Sequence, residues 1–129
     1  MRQPLVMGNW KMHGALAANA ELIKALASLL PEKRQAHIAI CPPAVYLTQL
    51  LVELEQSQSG IALAAQNVCA QAPDAGAYTG EVSAQMLADL AVDYCLVGHS
   101  ERREYFGESN EIVAQKFQQL QTQGITPVC

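Results

Sequence analysis

The chain has 129 residues, 50% hydrophobic and 16% charged, with a formal net charge of −4 at pH 7. That length fits one domain, and a charged fraction below the usual ~25% points to elements buried on both faces. The negative balance disfavours nucleic acid and anionic membrane surfaces as partners, no apolar stretch approaches the roughly 20 residues of a membrane span, and MRQPLVMGNW lacks the apolar core and cleavage site of a secretory signal.

Apolar runs alternate with amphipathic ones. Leu5 to Lys11 (LVMGNWK) reads as a strand, and Leu16 to Leu30 as a helix with Leu16, Ala20, Ile23, Ala27 and Leu30 on one face. His37 to Cys41 is a second strand, ended by Pro42 and Pro43. Ala44 to Gln56 follows as a helix with Val45, Leu47, Leu50, Leu51 and Leu54 as its apolar positions. Ile61 to Val68 is a third strand, and 69–80 (CAQAPDAGAYTG) is a long loop. Ser83 to Ala91 is a short helix using Met86, Leu87 and Leu90, and Tyr94 to His99 is a fourth strand. Glu108 to Gln123 is a helix with Ile112, Val113, Phe117 and Leu120 inward. Ser109 suits its N-cap and Gly124 the left-handed position after its end. Thr126 to Cys129 opens a fifth strand.

Strands separated by helices pair in parallel through right-handed crossovers. The order fits two folds, an open doubly wound sheet and a closed eightfold barrel, and periodicity does not choose between them. The last residue falls inside the fifth strand, as expected of a chain cut short, because an interior strand is rarely left without a neighbour.

The four cysteines, Cys41, Cys69, Cys95 and Cys129, form no CxxC pair, and Cys41 and Cys95 sit in apolar runs. They read as reduced core thiols of a cytoplasmic protein. His13, His37 and His99 are scattered without paired-ligand spacing, so no metal is implied.

In parallel α/β folds, chemistry gathers at the C-terminal ends of the strands. Strand one ends in Asn9-Trp10-Lys11, strand three in Gln66-Asn67 and strand four in His99-Ser100-Glu101. Singly, each has a plain structural reading: a solvated lysine, a satisfied histidine, local ion pairs in SERRE. Together they place amides, an ammonium, an imidazole and a carboxylate on one sheet edge, as a small-anion site requires.

GNWKMHG (8–14), AAQNV (64–68), GAYTGEVS (76–83) and VGHSERREYFGES (97–109) resemble, in order and spacing, the triosephosphate isomerases. The resemblance spans the whole chain. It implies a (β/α)8 TIM barrel, with residues 1–129 as the N-terminal half of a single barrel domain, from β1-α1 to the start of β5. It also implies interconversion of dihydroxyacetone phosphate and D-glyceraldehyde 3-phosphate through an enediolate, in glycolysis and gluconeogenesis, with no cofactor.

By that resemblance His99 is the electrophile. A neutral imidazole in this role is the family's own account, carried over with the motif. A helix starting just after His99 would aim its N–H dipoles at the ring. Lys11 matches the substrate-binding lysine, Asn9 a substrate-contacting asparagine, Glu101 a partner for the lysine, and Ser100 the serine beside the catalytic base. The 69–80 loop resembles the arm that enters the neighbouring subunit of a homodimer. Thr79 matches the threonine that reaches the partner's site, and Glu81 and Arg102 match a charge pair across the interface. His13 stands where asparagine is common, beside that interface, and Cys69 where a small polar residue is commoner. The family's glutamate base lies in a motif resembling YEPVWAIGTG, which does not occur here, nor do the lid and the later phosphate loops. The fragment alone is therefore expected to be inactive. An alternative is a catalytically silent half-barrel interaction module.

Overall fold

A computed structural model describes residues 2–129. Among the described residues five strands and five helices follow in the order β1 (Leu5–Asn9), α1 (Leu16–Leu29), β2 (His37–Cys41), α2 (Leu47–Ser57), β3 (Ala62–Ala65), α3 (Ala84–Asp89), β4 (Tyr94–Leu96), α4 (Ser100–Phe106), α5 (Asn110–Thr122) and β5 (Thr126–Val128), with two helices between β4 and β5. A single 3-10 turn, Ala44–Tyr46, leads into α2.

All strand pairs are parallel, and the strands lie in sequence order, β1-β2-β3-β4-β5. That order decides between the two candidate folds. A doubly wound sheet reverses direction at an inner strand, whereas successive right-handed crossovers to the next neighbour put every helix on one side. The result is half of a TIM barrel.

One buried cluster joins the helices to the sheet. Ile23, Leu50, Leu54, Leu87, Val113 and Leu120 meet Ile40, Leu63, Ala65, Cys95 and Val97. Each large side chain so buried contributes about 1.5–3 kcal/mol. Asn19 is buried as well, and it staples α1 to α2. Its Oδ1 accepts from Ala15 N at 3.2 Å and its Nδ2 donates to Gln49 Oε1 at 3.0 Å.

Ser109 caps α5 by accepting from Ile112 N, and Gly124 takes the left-handed turn beyond it with φ 73°. Both follow the sequence reading. Four of the apolar positions assigned to helices do not. Leu16 and Val45 are exposed, each lying at or before the first residue of its helix, where no neighbouring element covers it. On α5, Phe117 is on the surface, and Lys116 takes the buried position between Val113 and Leu120. Met86 of α3 is likewise exposed.

Within the described residues β1 and β5 each have one strand neighbour, and Val6 of β1 is 57% exposed. No helix among them is long and apolar enough to cross a membrane.

Candidate active site

The strand runs stop earlier than their apolar letters suggest. β1 ends at Asn9, β3 at Ala65 and β4 at Leu96, and the next residues turn over the C-terminal edge of the sheet. There Asn9, Lys11, Gln66, Asn67, His99, Glu101, Arg102 and Phe106 line one cleft of about 260 Å³.

Lys11 adopts a left-handed backbone with φ 52°. Its N–H donates to Asn9 Oδ1 at 2.9 Å, and its carbonyl accepts from Gln66 Nε2 at 2.7 Å. Its ammonium reaches Glu101 Oε1 at 2.8 Å. The hydrogen bond to Glu101 and the attraction of that carboxylate raise the lysine's pKa, so the ammonium persists at neutral pH. The same hydrogen bond holds the Glu101 carboxyl below its ordinary range. Both groups are largely solvated, so the pair orients more than it stabilises.

His99 ends the β4 connection and caps α4. Its Nδ1 accepts the backbone N–H of Glu101 at 3.1 Å. A ring nitrogen that accepts carries no hydrogen, so the neutral ring bears its proton on Nε2. The 3.7 Å approach of Glu101 Oε2 to the same Nδ1 is then a contact rather than an ion pair. Helix α4 thus starts at Ser100, where a helix was expected to aim its dipoles at the ring. The general reading by periodicity had no element over 100–106, because only Tyr105 and Phe106 are apolar there. Gly98, with φ 68°, turns the chain before His99.

Behind the cleft lies a buried ionic cluster that sequence reasoning missed. Glu108 is 8% exposed, and its Oε1 accepts from Arg102 Nε at 2.7 Å and from Lys116 Nζ. Lys116 also donates to Asn67 Oδ1 at 2.7 Å. Burial by itself would push the Glu108 carboxyl up. Hydrogen bonds from Lys116 and Arg102 outweigh it and hold the group below its ordinary value. The other oxygen, Oε2, is buried without a hydrogen-bond partner among the described residues. Asn67 stood among the strand-end residues of the sequence reading. The spacing 113-116-120 places Lys116 on the buried stripe of α5 as well as Phe117 would fit, but no periodicity marks Glu108, which precedes the helix.

Of the remaining expected residues, Ser100, Thr79, Glu81 and His13 lie outside this cluster. Ser100 is exposed at the first position of α4. Thr79, Glu81 and His13 are exposed on loops. Arg102 does not meet Glu81 within the chain: its Nε is engaged by Glu108, and its guanidinium lies 4.7 Å from the Phe106 ring centroid. The 69–80 loop is anchored at its base, where Cys69 N donates to Val82 O at 2.8 Å and Gln85 N to Pro73 O at 2.9 Å.

Cys41 and Cys95 are fully buried, and burial pushes the Cys41 thiol up to about 12 and Cys95 higher still. Such thiols are inert. No group of three or more His, Cys, Asp or Glu side chains that could hold a metal occurs among the described residues.

A family model described as triosephosphate isomerase matches residues 4–129. A triosephosphate isomerase of Delftia acidovorans is 53% identical over 128 residues, covering 99% of this chain and 50% of that protein. The Herminiimonas arsenicoxydans and Shewanella denitrificans proteins of the same name are 51% and 46% identical, with the same coverage. The chain spans about half the length of the curated relatives it matches. On the matched residues and the half-barrel that carries them, this chain belongs to the triosephosphate isomerase family.

Proposed function

We propose that residues 1–129 are the N-terminal half of a triose-phosphate isomerase barrel, and that they supply the electrophilic and anion-binding half of its site. The observation that carries this reading is the convergence of Asn9, Lys11, His99 and Glu101 on one cleft at the C-terminal ends of the strands.

The reaction moves a proton between adjacent carbons of a triose phosphate. It needs a carboxylate base, a hydrogen-bond donor to the carbonyl oxygen, and a cation for the phosphate and the developing enediolate. His99 Nε2–H serves as the donor, its tautomer set by Glu101 N–H on the other ring nitrogen. The donor stabilises charge that develops only in the transition state, which is where such a group acts most strongly. Lys11, its ammonium oriented by Glu101, neutralises the substrate's negative charge. Asn9 fixes the turn that presents Lys11. The general base is supplied from outside these residues. Ser100 lies beside it in the complete site. Thr79, Glu81, Arg102 and His13 serve the interface of a homodimer, and the protein works in the cytoplasm.

The test is a coupled isomerase assay on two chains. One is residues 1–129 alone, and the other is the same residues continued to the relatives' full length. Turnover in the longer chain only is the expected result, and a folded full-length protein without turnover overturns the reading.

The second reading, a silent half-barrel module, draws on the single strand neighbours of β1 and β5. Stable self-association of the 129-residue chain in sedimentation, with no isomerase activity in any extended form, would favour it.

A further inference from the structure

We propose that Gln66 is a positioning residue for Lys11: from the end of β3 it holds the lysine backbone in its left-handed turn and so keeps the ammonium in the cleft. The proposal deepens the functional reading, resting on it for the substrate that Lys11 meets.

An L residue avoids the left-handed region because its Cβ crowds the following carbonyl oxygen. A lysine stays there only if its surroundings over-determine the conformation. At Lys11 (φ 52°) both flanking peptide groups are held by side chains. Asn9 Oδ1 takes the N–H at 2.9 Å, and Gln66 Nε2 donates to the carbonyl at 2.7 Å. The same Nε2 donates to Cys41 O at 3.0 Å, the last carbonyl of β2, and lies 3.5 Å from Asn9 Oδ1.

A primary amide nitrogen has two hydrogens, so the two short bonds use both. One neutral side chain just past β3 therefore ties down the ends of β1 and β2 beneath the lysine. Trp10 N donates to the same Cys41 carbonyl at 3.0 Å, which closes the turn from below. The chemistry demands an amide here. A glutamate carboxylate would face three oxygens, and a methionine would fill similar space with no donor.

Three measurements on the full-length protein test this. In the wild type, NMR should detect couplings across hydrogen bonds from the Gln66 side-chain nitrogen to the Lys11 and Cys41 carbonyl carbons, and their absence overturns the proposal. In Gln66→Met, the Lys11 ammonium should move off Glu101, and its titration should fall back toward 10.5. KM for the triose phosphate should rise about tenfold, with a smaller change in kcat, as expected for loss of a hydrogen bond that orients a charged group. In Gln66→Glu, the ratio of variant to wild-type kcat/KM should rise as pH falls, because a protonated carboxyl regains one donor. A folded Gln66→Met with unchanged Lys11 titration and unchanged KM refutes the role. If the wild type lacks isomerase activity, the functional reading fails, while the couplings and the Lys11 titration still decide the role of Gln66.

Discussion

Glu101 acts on His99 with its backbone and on Lys11 with its side chain: its N–H meets His99 Nδ1 at 3.1 Å while its carboxylate holds Lys11 Nζ at 2.8 Å. One residue in the first turn of α4 thereby sets the tautomer of the imidazole and the direction of the ammonium. Moving α4 would disturb both groups together, so the contacts that hold α4 matter as much as those inside the cleft.

Removing the cation should separate binding from stability. In the full-length protein, Lys11→Met is expected to raise KM about 10- to 100-fold, the scale of a hydrogen bond between charged groups. The melting temperature should change little, since the Lys11–Glu101 pair is solvated. The raised pKa of Lys11 also fixes a pH window. The ammonium is present throughout neutral pH and is lost only as pH rises above the ordinary 10.5. Titration of inorganic phosphate binding between pH 7 and 10 should therefore show no loss attributable to Lys11.

The buried cluster makes the opposite prediction. Glu108→Ala leaves Lys116 and Arg102 without their anion and should destabilise the fold by about 3–5 kcal/mol. Urea unfolding at neutral pH measures it. Because the folded pKa of Glu108 lies below the unfolded value of about 4.5, its stabilisation is present above pH 4.5 and is lost as pH falls through the folded pKa. Stability measured from pH 6 down to pH 3 should fall more steeply in the wild type than in Glu108→Gln. Parallel curves would show that the carboxylate contributes no such stability.

Gly98 is the third test. A Cβ built there lies 2.9 Å from Arg103 Nη2 and 3.0 Å from Val113 Cγ1, and φ is 68°. Gly98→Ala should cost about 1–2 kcal/mol for the left-handed backbone alone. The contact with buried Val113 adds to that, because α5 is packed against the sheet and yields little. The arginine, being a flexible side chain, can move aside. The urea midpoint should fall, and full stability in Gly98→Ala would mean that this turn is not the one described.

The element order was legible in the sequence because buried parallel strands and one-sided helices carry strong, distinct periods. Periodicity did not choose barrel over open sheet, and the motifs pointed to the barrel by resemblance. Strand pairing then settled it through the order β1 to β5. The cleft residues Asn9, Lys11, His99 and Glu101 could be named from motifs, but not how they are held. Lys11 was read as strand, and its left-handed turn depends on Gln66, which is 55 positions away. On α5 the choice between Lys116 and Phe117 for the buried stripe went to the apolar letter. The structure gives it to the lysine because Glu108 and Asn67 wait there to pair with it. Long-range polar pairing of this kind leaves no periodic trace.

The role of the imidazole is tested most directly by the isomerase rate of a full-length protein carrying His99→Gln, measured beside the wild type in the coupled assay. A fall in kcat of about 10²–10⁴ is expected. KM and the urea midpoint should stay near wild type, because His99 is assigned to the reacting carbonyl and its cap on α4 is worth only about 1 kcal/mol. An unchanged kcat in a folded His99→Gln protein would contradict the role assigned to the imidazole.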